Sequence, residues 1–156
     1  MRLLRFARLA AILLLTGLIL SGCFGGEKIN IFPPRASIQQ LAVQADGSWK
    51  LQLRLQNFSN VSMTVATADA KIEIAGNIAG NVSVAPNVRV GPESAEPIEV
   101  VLKPSATAAN AVSGLQGGNV HYKLGGRIVT SDPAGDYPYA FEGELSPVPG
   151  LSGVFR

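Results

Sequence analysis

A two-sheet antiparallel β-sandwich is the fold this sequence predicts, and three observations carry the prediction. Apolar and polar residues alternate with a period of two, most clearly in Trp49-Lys50-Leu51-Gln52-Leu53-Arg54-Leu55-Gln56. That alternation marks a strand with one dry and one wet face. Turn-forming clusters punctuate such runs about every ten residues, a spacing typical of all-β sandwiches. Helical patterning is confined to one segment, whereas a parallel α/β sheet would need repeated crossover helices. The matching architecture is immunoglobulin-like or fibronectin-III-like, with about seven strands.

The elements follow in order. Residues 38–45 form a first strand with Leu41 and Val43 on one face, and Asp46-Gly47 signals a hairpin into the strand over 49–56. Trp49 is read as the start of the core face; an interface anchor at the strand end is the alternative. Asn57-Phe58-Ser59-Asn60 is a turn-rich break. Asn57 and Asn60 act there as turn builders whose side chains bond nearby backbone groups. Strands over 61–67 and 71–75 come next, the second with Ile72 and Ile74 flanking Glu73. Residues 77–84 are poorer in apolar side chains and contain Gly80. Residues 97–103 are clearer, with Ile98, Val100 and Leu102 facing one way. A long strand over 120–130 contains Gly125-Gly126, the mark of a bulge or bend. Residues 139–145 close the set, with Tyr139, Phe141 and Leu145 on a common parity. Residues 104–118 read equally as an ordered loop or as one short helix near 105–113. In the helical reading Ser105 caps it, Gly114 ends it, and Ala109, Val112 and Leu115 press on the sheets.

The N-terminus has a different character. Arg2, Arg5 and Arg8 precede an apolar run from Leu9 to Leu20, the pattern of an export signal. About a dozen apolar residues fall short of the roughly 20 needed to span a bilayer. Leu20-Ser21-Gly22-Cys23 resembles the lipobox of bacterial lipoproteins. The resemblance implies cleavage between Gly22 and Cys23, a thioether-linked diacylglycerol on Cys23, and acylation of the new amine, commonly by palmitate. A signal peptide that merely contains a cysteine is the bland alternative. Cys23 is the only cysteine in the chain, so an oxidising compartment offers this fold no disulfide.

Removing residues 1–22 takes away three of the 13 basic residues and none of the 11 acidic ones, leaving ten against eleven. A mature chain so nearly neutral lacks the basic surface that nucleic-acid binding requires. The expected organisation is a signal peptide over 1–22, a lipidated start and short tether over 23–36, a sandwich over 37–148, and a tail over 149–156. Stretched out, residues 24–37 reach about 45 Å at roughly 3.3 Å each. Gly25-Gly26 loosens the tether near the membrane and Pro33-Pro34 stiffens it near the domain.

The order of motifs also resembles a family. Ile38-Gln39-Gln40-Leu41 leads through the alternating strand to Gln56-Asn57-Phe58-Ser59-Asn60. There Phe58-Ser59 stands where the family pattern has the central proline of an Asn-Pro-Asn element. Ile72-Glu73-Ile74-Ala75-Gly76 follows, then Gly91-Pro92-Glu93-Ser94-Ala95-Glu96-Pro97 before Ile98-Glu99-Val100-Val101-Leu102. Val120-His121-Tyr122-Lys123-Leu124-Gly125-Gly126 and Phe141-Glu142-Gly143-Glu144-Leu145-Ser146-Pro147 complete the series. Over residues 34–148 the chain is similar to the LEA type 2 family, whose core is the WHy (water stress and hypersensitive response) domain. The resemblance implies a β-sandwich with a small packing helix, an association with desiccation and osmotic stress, and frequent lipidation in bacteria. It implies no enzymatic activity, cofactor or catalytic residue.

Chemistry-bearing residues are sparse. His121 is the sole histidine, and no Gly-x-Ser-x-Gly nucleophile context accompanies it, so it is expected as a solvent-facing strand residue. Glu142 and Glu144 share a strand face, with Asp132 and Asp136 in the preceding hairpin loop. Hard-cation binding would use such oxygens, but the convergent calcium-loop motif is missing, and a solvated acidic face is the reading preferred. Tyr137-Pro138-Tyr139 forms either a contact patch or the closure of the sandwich end. The functional expectation is a non-enzymatic periplasmic lipoprotein, anchored through Cys23 and associated with stress. No cofactor, metal, nucleic acid or small-molecule substrate is indicated. Phe24 stands where an aspartate would favour inner-membrane retention in enterobacteria, which by analogy points to the outer membrane. The alternative is an adaptor that docks a specific envelope protein.

Overall fold

The computed structural model describes residue 26, residues 28–115 and residues 118–156. The leader, the Gly22-Cys23 junction and Phe24 lie outside the described residues. Two antiparallel sheets pack face to face. The first has the order β6-β2-β1-β9, built from β1 (Arg35–Val43), β2 (Trp49–Gln56), β6 (Ala95–Leu102) and β9 (Val154–Phe155). The second has the order β4-β3-β7-β8, built from β3 (Met63–Ile74), β4 (Asn77–Val84), β7 (Val120–Asp132) and β8 (Ala134–Leu145). A short β5 (Val88–Val90) pairs with the start of β3, and β4 pairs with the rest of it. One helix, α1 (Ala106–Ser113), packs on β4 and β3.

The expected strand over 49–56 is β2, whose inward residues Trp49, Leu51, Leu53 and Leu55 are all buried. Trp49 therefore belongs to the core. Facing it, the second sheet contributes Val65, Ala68, Ala70, Ile72, Ile74, Tyr122, Leu124 and Ile128. The strands expected over 61–67 and 71–75 are one continuous β3. Its middle is Ala68-Asp69-Ala70, whose inward alanines bury little area and have low strand propensity, so the sequence pattern fades there.

Two irregularities differ from expectation. In β1 the register shifts between Ile38 and Gln40. Ala36 and Ile38 point inward before the shift and Leu41 after it, while Gln39 stays exposed. Alternation continued from Ile38 would have turned Gln40 inward, and the extra residue turns Leu41 inward instead. Conversely, Gly125-Gly126 form no bulge; they keep regular register with Lys71 and Ala70 on one side and Ala140 and Tyr139 on the other. Gly126 is needed for close approach instead, since a Cβ there would collide with the Asp69 carbonyl of β3.

The helical alternative for 104–118 is the one adopted. Ser105 Oγ accepts a bond from the Ala108 amide and donates one to the Ile78 carbonyl, tying the helix start to β4. Ala108 and Val112 face the core, with Ala109 and Leu115 partly buried beside them. Gly114 ends the helix in a right-handed conformation. Both predicted termini of the domain change. Residues 149–156, read as a tail, contain β9, which pairs with Leu41 and Ala42 and buries Phe155. The tether read over 23–36 yields Arg35 and Ala36 to β1 and, as shown next, is held from Lys28 onward.

Candidate functional site at the tether loop

The loop between β2 and β3 is where buried polar side chains concentrate. Asn57 is 1% exposed and Ser59 is fully enclosed, so each must find partners inside the protein. Asn57 Nδ2 donates to the carbonyls of Val61 at 2.7 Å and Gly91 at 2.8 Å, and its Oδ1 accepts the Ser59 amide at 2.9 Å. Its backbone amide bonds the Ser94 carbonyl. One side chain thus joins its own loop to the loop between β5 and β6.

Ser59 and Asn60 use what remains to grip the incoming chain. Ser59 Oγ accepts the Phe32 amide at 2.8 Å and donates to the Phe32 carbonyl at 3.3 Å. Asn60 Oδ1 accepts the Asn30 amide at 2.7 Å, and its Nδ2 donates to the Lys28 carbonyl at 2.7 Å. The Asn60 amide in turn bonds the Asn30 carbonyl at 3.3 Å. Lys28, Asn30 and Phe32 are held through their backbones in an alternating pattern, like a short strand laid on the loop. Arg35 extends the clamp, its guanidinium 5.0 Å from the Phe58 ring and 5.7 Å from the Phe141 ring, within cation–π range of both.

Asn57 and Asn60 are thus more than local turn builders. Asn57 does build its own turn, through Ser59 and Val61, but both asparagines also bond residues about 30 positions away. Of the Phe58-Ser59 pair that stands where the family pattern has its proline, Ser59 has both its amide and its hydroxyl engaged. Lys28, Asn30 and Ser59 went unread in the sequence. The alternation of Lys28-Ile29-Asn30-Ile31 was the available signal, being a miniature strand pattern inside a presumed linker.

The other sequence candidates lie on the outer face of the second sheet and do not converge. His121 is exposed on β7, 3.5 Å from Glu144 on β8. Glu142 pairs with Lys123 at 3.0 Å and Asp136 with Arg127 at 2.6 Å, while Asp132 ends β7. The Glu142–Lys123 and Asp136–Arg127 pairs are solvent-exposed and so screened by water. The Lys123 ammonium is held above its usual range by its bond to Glu142. Among the described residues no three His, Cys, Asp or Glu side chains come together to hold a metal. A solvent-open depression of about 290 Å³ runs past Glu73, His121, Tyr122, Lys123 and Glu142. The Tyr122 hydroxyl is turned away from chemistry, since it accepts the Ile38 amide and donates to the Ile38 carbonyl at the β1 bulge. Burial raises its pKa.

Tyr137 and Tyr139 are both half-buried on the inward parity of β8, and Tyr139 packs against the core, closing the sandwich there. Tyr139 donates its hydroxyl to the Asp69 carbonyl at 3.2 Å. Burial, with the Asp69 charge as a second cause, pushes its pKa up to about 12.

No family profile matches the chain, and no curated protein is similar enough to match it. Solved structures of similar shape exist. An Arabidopsis thaliana protein solved in solution has a TM-score of 0.49 at 13% identity, covering 82% of this chain and 93% of that one. A solution structure described provisionally as a late embryogenesis abundant (LEA) protein has a TM-score of 0.49 at 11% identity, covering 96% and 88%. A crystal structure of an Archaeoglobus fulgidus protein has a TM-score of 0.41 at 16% identity, covering 76% and 98%.

Proposed function

We propose that this chain is an envelope lipoprotein without catalytic activity, held by acyl chains on Cys23 and facing the periplasm from the outer membrane. In this reading the sandwich is a LEA type 2/WHy-like domain that acts in desiccation or osmotic stress through its hydrated surface and its contacts with envelope components. The observation that carries the anchored reading is the join between anchor and domain. Only four residues separate Cys23 from Lys28, and from Lys28 onward the backbone is bonded to Asn60 and Ser59. A loop that commits two polar side chains, Ser59 and Asn60, to fixing this segment, with Asn57 bracing the loop behind them, makes sense where the segment bears a load. The stress role rests on the motif series from residue 34 to 148 alone. Desiccation survival of a deletion strain tests it, with complementation by the wild-type gene and by Cys23→Ser. The expected result is reduced survival rescued by the wild type and not by the variant; unchanged survival of the deletion strain overturns the stress role.

A second reading, an adaptor for an envelope protein, is favoured by one feature. β8 is a twelve-residue terminal strand of its sheet, and such an edge is a template for strand addition. A photocrosslinker at Ala140 would then capture one reproducible protein in intact cells, whereas the same group at Gln52 in the middle of the first sheet would not. Equal, diffuse capture at both positions removes the adaptor reading.

A further inference from the structure

The docked tether presents a compact apolar surface. Ile29, Ile31 and Phe32 are 66%, 45% and 53% exposed, the only cluster among the large exposed hydrophobics of the described residues. Of the other exposed large hydrophobics, Val43, Ile78, Val101 and Leu151, no two fall within four positions of each other in the chain. Isolated exposed apolar residues are ordinary, whereas three within four positions are not.

We propose that Ile29, Ile31 and Phe32 insert into the lipid surface beside the Cys23 anchor, so that the sandwich stands on the membrane in one orientation with the tether loop downward. The inference rests on the lipoprotein reading above and adds the contact surface to it. The reach of the chain selects lipid as the occupant. Four residues between Cys23 and Lys28, with their bonds to each end, span at most about 17 Å. Acyl chains on Cys23 therefore keep Lys28 within that distance of the anchor whatever path the intervening residues take, which leaves the three side chains within reach of the lipid surface. Docking supplies the second condition. The amides of Asn30 and Phe32 and the carbonyls of Lys28, Asn30 and Phe32 are bonded within the protein. Those groups need no water when the segment meets the membrane, where unsatisfied backbone is costly. The charge balance of the mature chain, ten basic against eleven acidic residues, offers little electrostatic attraction, so the contact is apolar and insensitive to anionic lipid content.

The test uses the full mature lipoprotein, purified from cells and reconstituted in phosphatidylcholine vesicles with or without phosphatidylglycerol. Intact mass is measured first on the same preparation. A polarity-sensitive fluorophore is then attached at Ile31→Cys and, as the control far from the tether, at Val101→Cys. With acylated protein, the label on Ile31→Cys is expected to shift to the blue. It should lose fluorescence to lipids brominated near the headgroup end of the chain, equally in both vesicle types, while the label on Val101→Cys stays unquenched. Acylated protein with equal quenching at both positions overturns the membrane contact and leaves the lipoprotein reading standing. A blue shift that depends on protein density and ignores brominated lipid assigns the surface to a second copy of the chain and also overturns it. An unmodified Cys23 removes both readings.

Discussion

At the tether end of the sandwich, Asn57, Ser59 and Asn60 reach partners 27 to 34 positions away. At the opposite end, Asp46 bonds Ser48 two positions on, and Ser105 caps Ala108 three positions on, its long-range bonds all going to one strand, β4, at Ile78 and Ala79. The first arrangement ties three separate stretches of chain together, namely the tether, the β2–β3 loop and the β5–β6 loop. The second finishes individual elements, a hairpin and a helix. The difference teaches where loss of one side chain is felt. A buried amide shared among several stretches leaves several orphaned groups when removed, whereas a local cap leaves one.

Asn57→Ala is accordingly the largest expected effect. It strips partners from the Val61 and Gly91 carbonyls and from the Ser59 amide, a loss of about 2–4 kcal/mol when each such group costs about 1 kcal/mol or somewhat more. Urea unfolding of the soluble Cys23→Ser domain measures it; a loss below about 1 kcal/mol would contradict the account of a shared buried amide. At the other end Ser105→Ala is expected to cost about 1 kcal/mol, the usual value of a lost N-cap. If the two substitutions proved equal, the contrast between the ends would fail.

Much of this contrast could not be read from the sequence, and the reason is the range of the interactions. Period-two alternation made β2 legible, and Asp46-Gly47 marked its hairpin, where Gly47 takes a positive φ of 79°. The sandwich class followed from repeating such signals. Local rules failed where a strand's register is set by a distant partner. The β1 shift at Ile38 sits where the Tyr122 hydroxyl crosses from the other sheet to take both backbone groups of Ile38. Nothing near Ile38 announces that. Likewise β5 and β9, three and two residues long, are too short to show a period. Of the candidate site, Asn57 and Asn60 were legible as turn residues. The hold of Asn60 on Lys28 and Asn30, and of Asn57 on Gly91, was not, because a side-chain amide looks the same whether it bonds its neighbour or a stretch thirty residues away.

Asn60→Ala sharpens the comparison at smaller amplitude. Asn60 is only partly buried, and its removal should cost global stability about 0.5 kcal/mol. The local effect should be larger, since the side chain supplies the bonds to Asn30 and Lys28. Limited trypsinolysis after Lys28 reads it: cleavage should quicken in the variant while the urea midpoint scarcely moves. Cleavage as slow as in the wild type would show that the tether is held by something other than the loop.

The smallest effect belongs to the opposite hairpin and is a pH dependence. Asp46 has its carboxyl held below the ordinary 3.8, chiefly by the Ser48 hydroxyl, then by the Ser48 amide, with Lys103 adding a weaker attraction. A carboxyl whose pKa is lower in the folded state stabilises the fold above its unfolded pKa, and that contribution is lost as pH falls through the folded value. The hairpin should therefore hold unchanged from neutral pH down to about pH 4 and loosen only below it. Asp46→Asn should remove this acid dependence at residues 44–48 without altering the tether end, where neutral amides and a hydroxyl make the bonds. Amide exchange at Ser48 and Asn30, followed from pH 5 to pH 2.5, separates the two. Acid loosening at Asn30 in step with Ser48 would mean that the two ends share one cooperative transition, and that the local and long-range networks are not independent.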